Sequence, residues 1–335
     1  MVADRTHRRQ STSARGRSAI SARLSPWHAA KAMLRSFHHE EFPVERLLDA
    51  KRGRRVAVCL PARDEAETVG RVVSIVRTQL IEQTSLVDEL VVVDDGSHDD
   101  TPVAARAAGA RVLNAADILT DYDGDEGTTG GKGQALWKAV YATSSEIVAF
   151  CDADVRNFSP RFVAGLIGPL LLRDDVSLVK GFYRRPLGEQ AGEGGRVTEL
   201  VARPLVSMLF PELAPLWQPL AGECAAWRTV LEQVPFVGGY GVDLGLVIDV
   251  ADRFGSSSIV QCDLGERIHR NRPLAELGPQ ALAIMQLTLS RAGLTGPGGP
   301  ASWQSLLLRP GEEPVRVTLT ERPPLVQVPA YRKTA

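Results

Sequence analysis

Three short apolar runs, each ending in a cluster of polar residues, constrain this chain more than anything else in it. Val56-Ala57-Val58-Cys59-Leu60 runs into Pro61-Ala62-Arg63-Asp64-Glu65, and Leu90-Val91-Val92-Val93 into Asp94-Asp95-Gly96-Ser97. Glu146-Ile147-Val148-Ala149-Phe150 leads to Asp152-Ala153-Asp154. Short apolar runs bounded by turn signals read as buried strands. Between them Val69, Val72, Val73 and Val76 recur at helical spacing, Ala104, Ala105, Ala107 and Ala108 suit a helix, and Arg111-Val112-Leu113 suits a short strand. A further helix is expected from Gln134 to about Ala142. Strands alternating with helices predict an α/β fold with a mostly parallel, doubly wound sheet and helices on both faces. Such sheets bind ligands beyond the carboxyl ends of their strands, so the three polar clusters are expected to meet on one edge.

The rest of the chain narrows the class. Its 335 residues suffice for one large domain or two modest ones. A net charge of −1 gives no pull toward nucleic acid. No apolar run approaches the ~18–20 residues that span a bilayer, so no membrane partner is expected. Cys59, Cys151, Cys224 and Cys262 are scattered without a CxxC pair, which fits a reduced, cytoplasmic compartment better than a disulfide framework. Residues 1–26 are rich in Arg and Ser, with Asp4 their only acid. They read as a disordered basic tail, although a mitochondrial transit peptide shares that composition. Residues 27–54 have a helical pattern (Ala30, Met33, Leu34, Phe37, Phe42, Val44, Leu47, Leu48). Further on, strands are expected at Val176–Tyr183 and Ser258–Leu264, and helices at Val197–Leu209, Val242–Phe254 and Leu274–Leu289. Residues 296–335 turn to Pro and Gly and read as an extended C-terminal arm.

The sharpest chemical signal is Asp152-Ala153-Asp154. Two carboxylates at a sheet edge can share a divalent cation with a diphosphate, as Mg²⁺ is commonly held. Taken alone the same triplet also reads as a turn with a capping Asp. Gly130-Gly131-Lys132-Gly133 opens a helix, and a helix N-terminus beside a lysine favours anions. It lacks the spacing of a Walker A loop. Asp94 and Asp95 read either as nucleotide contacts or as turn residues. His269 stands in a basic turn after a strand, and Asp243 near a helix start.

Together these residues resemble the family-2-like nucleotide-sugar glycosyltransferases of the A-type fold, through PARDE, VVDDGSHDDT, GKGQAL and CDAD. More narrowly, the chain is similar to the glucosyl-3-phosphoglycerate synthases. The stretches that carry this are Val179–Pro186, Gly195–Leu205, Gln218–Glu223, Gly239–Asp243, His269–Gly278 and Leu319–Leu325. The resemblance implies a retaining transfer of glucose from UDP-glucose to the 2-hydroxyl of 3-phospho-D-glycerate. It implies a homodimer and a divalent metal, normally Mg²⁺, with Mn²⁺ or Co²⁺ also accepted. Residues 55–158 would form the nucleotide-sugar half and 159–295 the acceptor half. Pro61, Ala62, Glu65, Asp95, Lys132 and Asp152 would bind the donor, and Asp154 with His269 would hold the metal. Gly195, Arg196, Thr198 and Asn271 would bind the acceptor. Tyr240, Asp243 and Arg267 would border sugar and acceptor, Asp243 and Arg267 joining Asp154 and His269 as catalytic residues. The chain departs from mycobacterial members at Asp64, at Asp94-Asp95 and at Asp243, which replaces a Glu. Three rival readings stand beside this one: a polyprenyl-phosphate glycosyltransferase, which shares the donor half; a sugar nucleotidyltransferase, which would also use a Gly-rich loop and acidic metal ligands; and an inactive sugar-nucleotide-binding module on a transferase scaffold.

Overall fold

An eight-stranded sheet organises the chain in a computed structural model. The structure describes residues 34–122, 130–184, 186–187, 190–191, 195–268, 274–294, 296 and 305–332. The strands are β1 (Ser36–His38), β2 (Val56–Ala62), β3 (Glu89–Asp94), β4 (Arg111–Asn114), β5 (Ile147–Phe150), β6 (Leu178–Arg184), β7 (Cys224–Trp227) and β8 (Ile259–Glu266). Their order across the sheet is β1-β8-β6-β7-β5-β2-β3-β4. All pairings are parallel except those of β7, which runs antiparallel between β5 and β6. Strands from both halves of the chain therefore belong to one sheet.

Helices cover both faces, so the central strands must be apolar on both sides. In β2 Val56 to Leu60 are all inaccessible to solvent. One face packs on α1 (Val44–Lys51), α2 (Val69–Ile75), α3 (Thr101–Ala108) and α5 (Pro160–Leu172). The other packs on α4 (Lys132–Ala142), α6 (Arg203–Leu209), α7 (Val242–Phe254) and α8 (Leu274–Arg291). This is the doubly wound architecture the alternation predicts, and the expected strands and helices of the second half appear within a few residues of their expected bounds.

Two segments differ from expectation. Ser36–His38 is a strand rather than helix, because Phe37 pairs with Cys262 on the edge of β8, and tertiary pairing overrides the local helical spacing. The C-terminal segment is no free arm. Glu321–Arg322 pairs antiparallel with Phe236–Val237, and Leu325 and Val328 enter the core. Residues 1–33, which include Ala30 and Met33 of the expected helical pattern, and residues 123–129 before α4 lie outside the described residues.

Candidate active site

The strand ends converge as the topology requires. An open cleft of about 430 Å³ lies across the carboxyl ends of β2, β3 and β5. Pro61, Ala62, Arg63 and Glu65 line it from β2, Asp95 from β3, and Asp152 to Asp154 from β5. Lys132 enters from the start of α4, Gly239 and Tyr240 from the turn before α7, and Arg267 from the end of β8. Every expected donor residue is thus in one cleft.

Glycine opens α4 for a local reason. Gly131 is its N-cap at φ +100°, and its N–H donates to Asp95 Oδ2 at 2.6 Å. As a glycine, the N-cap offers this helix no side-chain acceptor of its own, and the first turn of the helix lies at the cleft. Gly133 is forced by packing: a Cβ there would collide with the carbonyl oxygen of Val237. The N-terminus of α4 and the segment leading to Tyr240 therefore lie in contact.

A charged lattice fills the floor. Lys132 Nζ lies 2.8 Å from Asp152 Oδ1 and 3.3 Å from Asp243 Oδ1. Arg267 Nη2 lies 2.9 Å from Asp152 Oδ2 and 2.6 Å from Asp154 Oδ1. Its Nε faces Glu223 Oε1 at 3.3 Å, and its Nη1 donates to the Tyr183 hydroxyl at 2.6 Å. The Arg267 side chain is only 4% exposed. Four carboxylates thus face two cations, leaving the floor formally negative. Burial opposes the charge on Asp152, yet Lys132 and Arg267 hold its carboxyl well below the usual range. Burial likewise opposes the charge on Lys132, and Asp152 and Asp243 outweigh it, holding the pKa high. Burial pushes the Glu223 carboxyl up, against the pull of Arg267. It also raises the Asp95 carboxyl, although the Gly131 N–H counters it.

Asp152 and Asp154 suit a divalent cation. Their oxygens converge on one guanidinium nitrogen, so their lone pairs already focus on a single cationic point. Carboxylate oxygens are the hard donors that Mg²⁺ and Mn²⁺ take. Asp154 remains about one-quarter exposed, at 26%, with room for further ligands.

The other expected residues are placed as follows. Asp243 lies behind Lys132, in the first turn of α7. Gly195 has φ +93°, and Thr198 is buried two residues past Arg196. Arg196 lines a separate hollow with Leu200, Leu277, Gly278 and Arg309, so it is not among the residues of the cleft. His269 and Asn271 lie outside the described residues. Sequence reasoning did not single out Glu223, Tyr183 or Arg63. Glu223 and Tyr183 fall inside two of the stretches that carry the family resemblance, which was the available signal.

Comparison with known proteins agrees with this geometry. Residues 57–189 match the model for Glycosyl transferase family 2. A glucosyl-3-phosphoglycerate synthase of Mycolicibacterium paratuberculosis is 48% identical over 271 residues, covering 79% of this chain and 80% of that one. The chain belongs to the glucosyl-3-phosphoglycerate synthase family. A member from Petrotoga mobilis is 39% identical over 314 residues, covering 89% of this chain and 95% of its own. The crystal structure of the Mycobacterium tuberculosis member, in complex with Mn²⁺, UDP-glucose and phosphoglyceric acid, superposes with a TM-score of 0.77 at 43% identity. It covers 88% of this chain and 98% of the other. The fold is accordingly the A-type glycosyltransferase fold. No helix among the described residues is long and apolar enough to cross a membrane.

Proposed function

We propose that this chain transfers glucose from UDP-glucose to the 2-hydroxyl of 3-phospho-D-glycerate with retention, giving glucosyl-3-phosphoglycerate and UDP. The observation that carries this reading is the single cleft that gathers the strand ends, Lys132 and the Asp152/Asp154 pair in a member of this family. The cleft provides for an anionic donor. Backbone N–H groups at the start of α4 and the Lys132 ammonium meet a diphosphate, while Pro61, Ala62, Glu65 and Asp95 line the nucleoside end. Asp154 with His269 would hold a divalent cation, Mg²⁺ or Mn²⁺, which when bound neutralises the diphosphate leaving group.

The residues of the chain then position the reaction. Asp152 and Asp243 fix Lys132, and Arg267 bridges Asp152 and Asp154 at the floor. Tyr240 and Asp243 border the sugar. Gly195, Arg196, Thr198 and Asn271 receive the acceptor, a small dianion that needs concentrated donors. The acceptor 2-hydroxyl attacks the anomeric carbon on the face the leaving group departs from. The carbon–oxygen bond to the β-phosphate breaks, and the hydroxyl proton passes to the departing phosphate oxygen. This front-face displacement asks the protein chiefly for placement and charge stabilisation.

The reading extends to a cytoplasmic homodimer. Leu200 and Met208, both 75% exposed in the helical stretch from Thr198 to Leu209, support a self-association surface. The buried free thiols of all four cysteines fit a reducing compartment. A donor–acceptor matrix tests the activity. UDP-, GDP- and ADP-glucose are each offered with phosphoglycerate, glycerate or polyprenyl phosphate, with Mg²⁺ or Mn²⁺. Nucleotide release is expected from UDP-glucose with phosphoglycerate. Release that instead needs the polyprenyl phosphate, or that favours GDP-glucose, refutes the substrate assignment.

A further inference from the structure

The C-terminal segment runs along the back of the donor loop. Gly238 N–H donates to Thr320 O at 2.8 Å, and the buried Trp137 of α4 donates its indole N–H to Pro323 O at 2.9 Å. Between these two anchors Arg322 Nη2 donates to Gln134 Oε1 at 2.5 Å. The same Gln134 oxygen accepts the N–H of Gly130 at 3.4 Å. Gln134 is 4% exposed, so its amide is shut away from water.

Gly130 and Gly131 both sit at positive φ, +113° and +100°. Neither has a side chain to stiffen the turn that delivers Lys132. Restraint has to come from outside. Asp95 Oδ2 accepts the Gly131 N–H from the cleft side, and Gln134 Oε1 accepts the Gly130 N–H from behind. A glutamine amide turned by half a rotation presents NH₂ where its oxygen was, and NH₂ cannot accept. An arginine only donates, so a guanidinium held against Gln134 selects the orientation that presents oxygen. β-pairing of Glu321–Arg322 with Phe236–Val237 keeps the guanidinium in place.

We propose that Arg322 is a positioning residue for donor binding, acting through Gln134 to hold the Gly130-Gly131-Lys132 turn in its diphosphate-accepting shape. The proposal rests on the reading of that turn as the donor site.

The test is calorimetric titration of the full chain with UDP in the presence of Mn²⁺, alongside acceptor kinetics and melting temperatures. The variants are Arg322→Ala, Arg322→Lys, Gln134→Ala, the Arg322→Ala/Gln134→Ala double variant and, as reference, Lys132→Ala. Arg322→Ala and Gln134→Ala should each weaken UDP about tenfold, and the double variant should also be about tenfold weaker because the two act in series. Arg322→Lys should recover most of the loss, and the phosphoglycerate KM should stay within about twofold of wild type. UDP binding by Arg322→Ala equal to wild type, whatever its melting temperature, overturns the proposal. So does a double variant weakened about a hundredfold, the product of independent effects. If Arg322→Ala folds poorly, Arg322→Lys and Gln134→Ala carry the decision, and full affinity in Gln134→Ala overturns it. Unchanged UDP affinity in Lys132→Ala sinks the donor-site reading itself, a different failure from an inert Arg322.

Discussion

An Arg267→Gln substitution removes a cation that touches Asp152, Asp154 and Glu223 together. The guanidinium is 4% exposed, and the three carboxylates are 21%, 26% and 0% exposed. None is open enough for water to screen the attraction away. Breaking a buried pair by deleting one partner costs about 3–5 kcal/mol. Two features place the expected loss near the lower end. Glu223, whose carboxyl burial already pushes up, can take a proton and become neutral. Lys132 stays 2.8 Å from Asp152. A loss of about 3 kcal/mol corresponds to a fall in melting temperature on the order of 5–10 °C for a large domain. The gap depends on pH with a definite sign. Glu223 has a raised folded pKa, so its stability contribution is present in acid and lost as pH rises, and removing Arg267 raises that pKa further. Asp152 has a depressed folded pKa, and the stability this provides is present above the ordinary Asp value near ~3.9. The Asp152 contribution is already complete at pH 5, so the Glu223 effect alone makes the variant lag wild type more at pH 8 than at pH 5. Thermal denaturation at the two pH values measures this, and added Mn²⁺ should narrow the gap at pH 8. A variant that melts within about 2 °C of wild type at pH 8, or a gap that ignores pH, refutes the account of the lattice.

Asp154→Ala should abolish metal-dependent turnover while leaving the melting temperature close to wild type, because Arg267 keeps Asp152 and Glu223 as partners; His269→Ala should raise the metal concentration needed for half-maximal rate. Full activity of either at low metal contradicts the ligand assignment. Arg196→Ala should raise the phosphoglycerate KM or cut turnover by a factor of about 30, the effect of deleting one partner of a desolvated charge pair. Equal use of phosphoglycerate by variant and wild type would move the acceptor site away from the hollow that Arg196 lines. Burial pushes the Cys59 thiol up to about 12 and that of Cys224 to about 11. The native chain should therefore leave dithionitrobenzoate unreacted at pH 8, with the thiols titrating only after denaturation.

The donor side was legible in the sequence because each feature is local. An apolar run followed by Asp-Asp-Gly-Ser or Asp-x-Asp states its own strand and its own edge, and parallel topology does the gathering. The floor was not legible in the same way. Arg267 was expected at the site, yet its grip on both Asp152 and Asp154 depends on β8 entering the sheet three places from β5. The strand Cys224–Trp227 went unforeseen because Cys-Ala-Ala-Trp has neither alternation nor β-branched residues, and Glu223 at its head went with it. The C-terminal residues misled in the other direction. Pro323-Pro324 and the nearby glycines look like solvated arm, and only the Phe236–Val237 edge, distant in sequence, gives them a partner.

Trp137 and Pro323 are joined by a hydrogen bond across 186 positions of chain. At a synthesis rate of ~5–20 residues per second, roughly 10–40 s separate the emergence of one from the emergence of the other. For most of that interval the nascent chain carries PARDE, Asp-x-Asp and Lys132. Phe236–Val237, once made, waits as an open edge, and the Trp137 indole lacks its carbonyl. A message that stops early, or a protease that trims the chain before residue 320, leaves a product with the whole nucleotide motif set and no frame behind it. If Arg322 holds the donor turn through Gln134 as proposed, full donor affinity is acquired only near the end of synthesis, and the first half of this sequence alone carries the motifs without that frame.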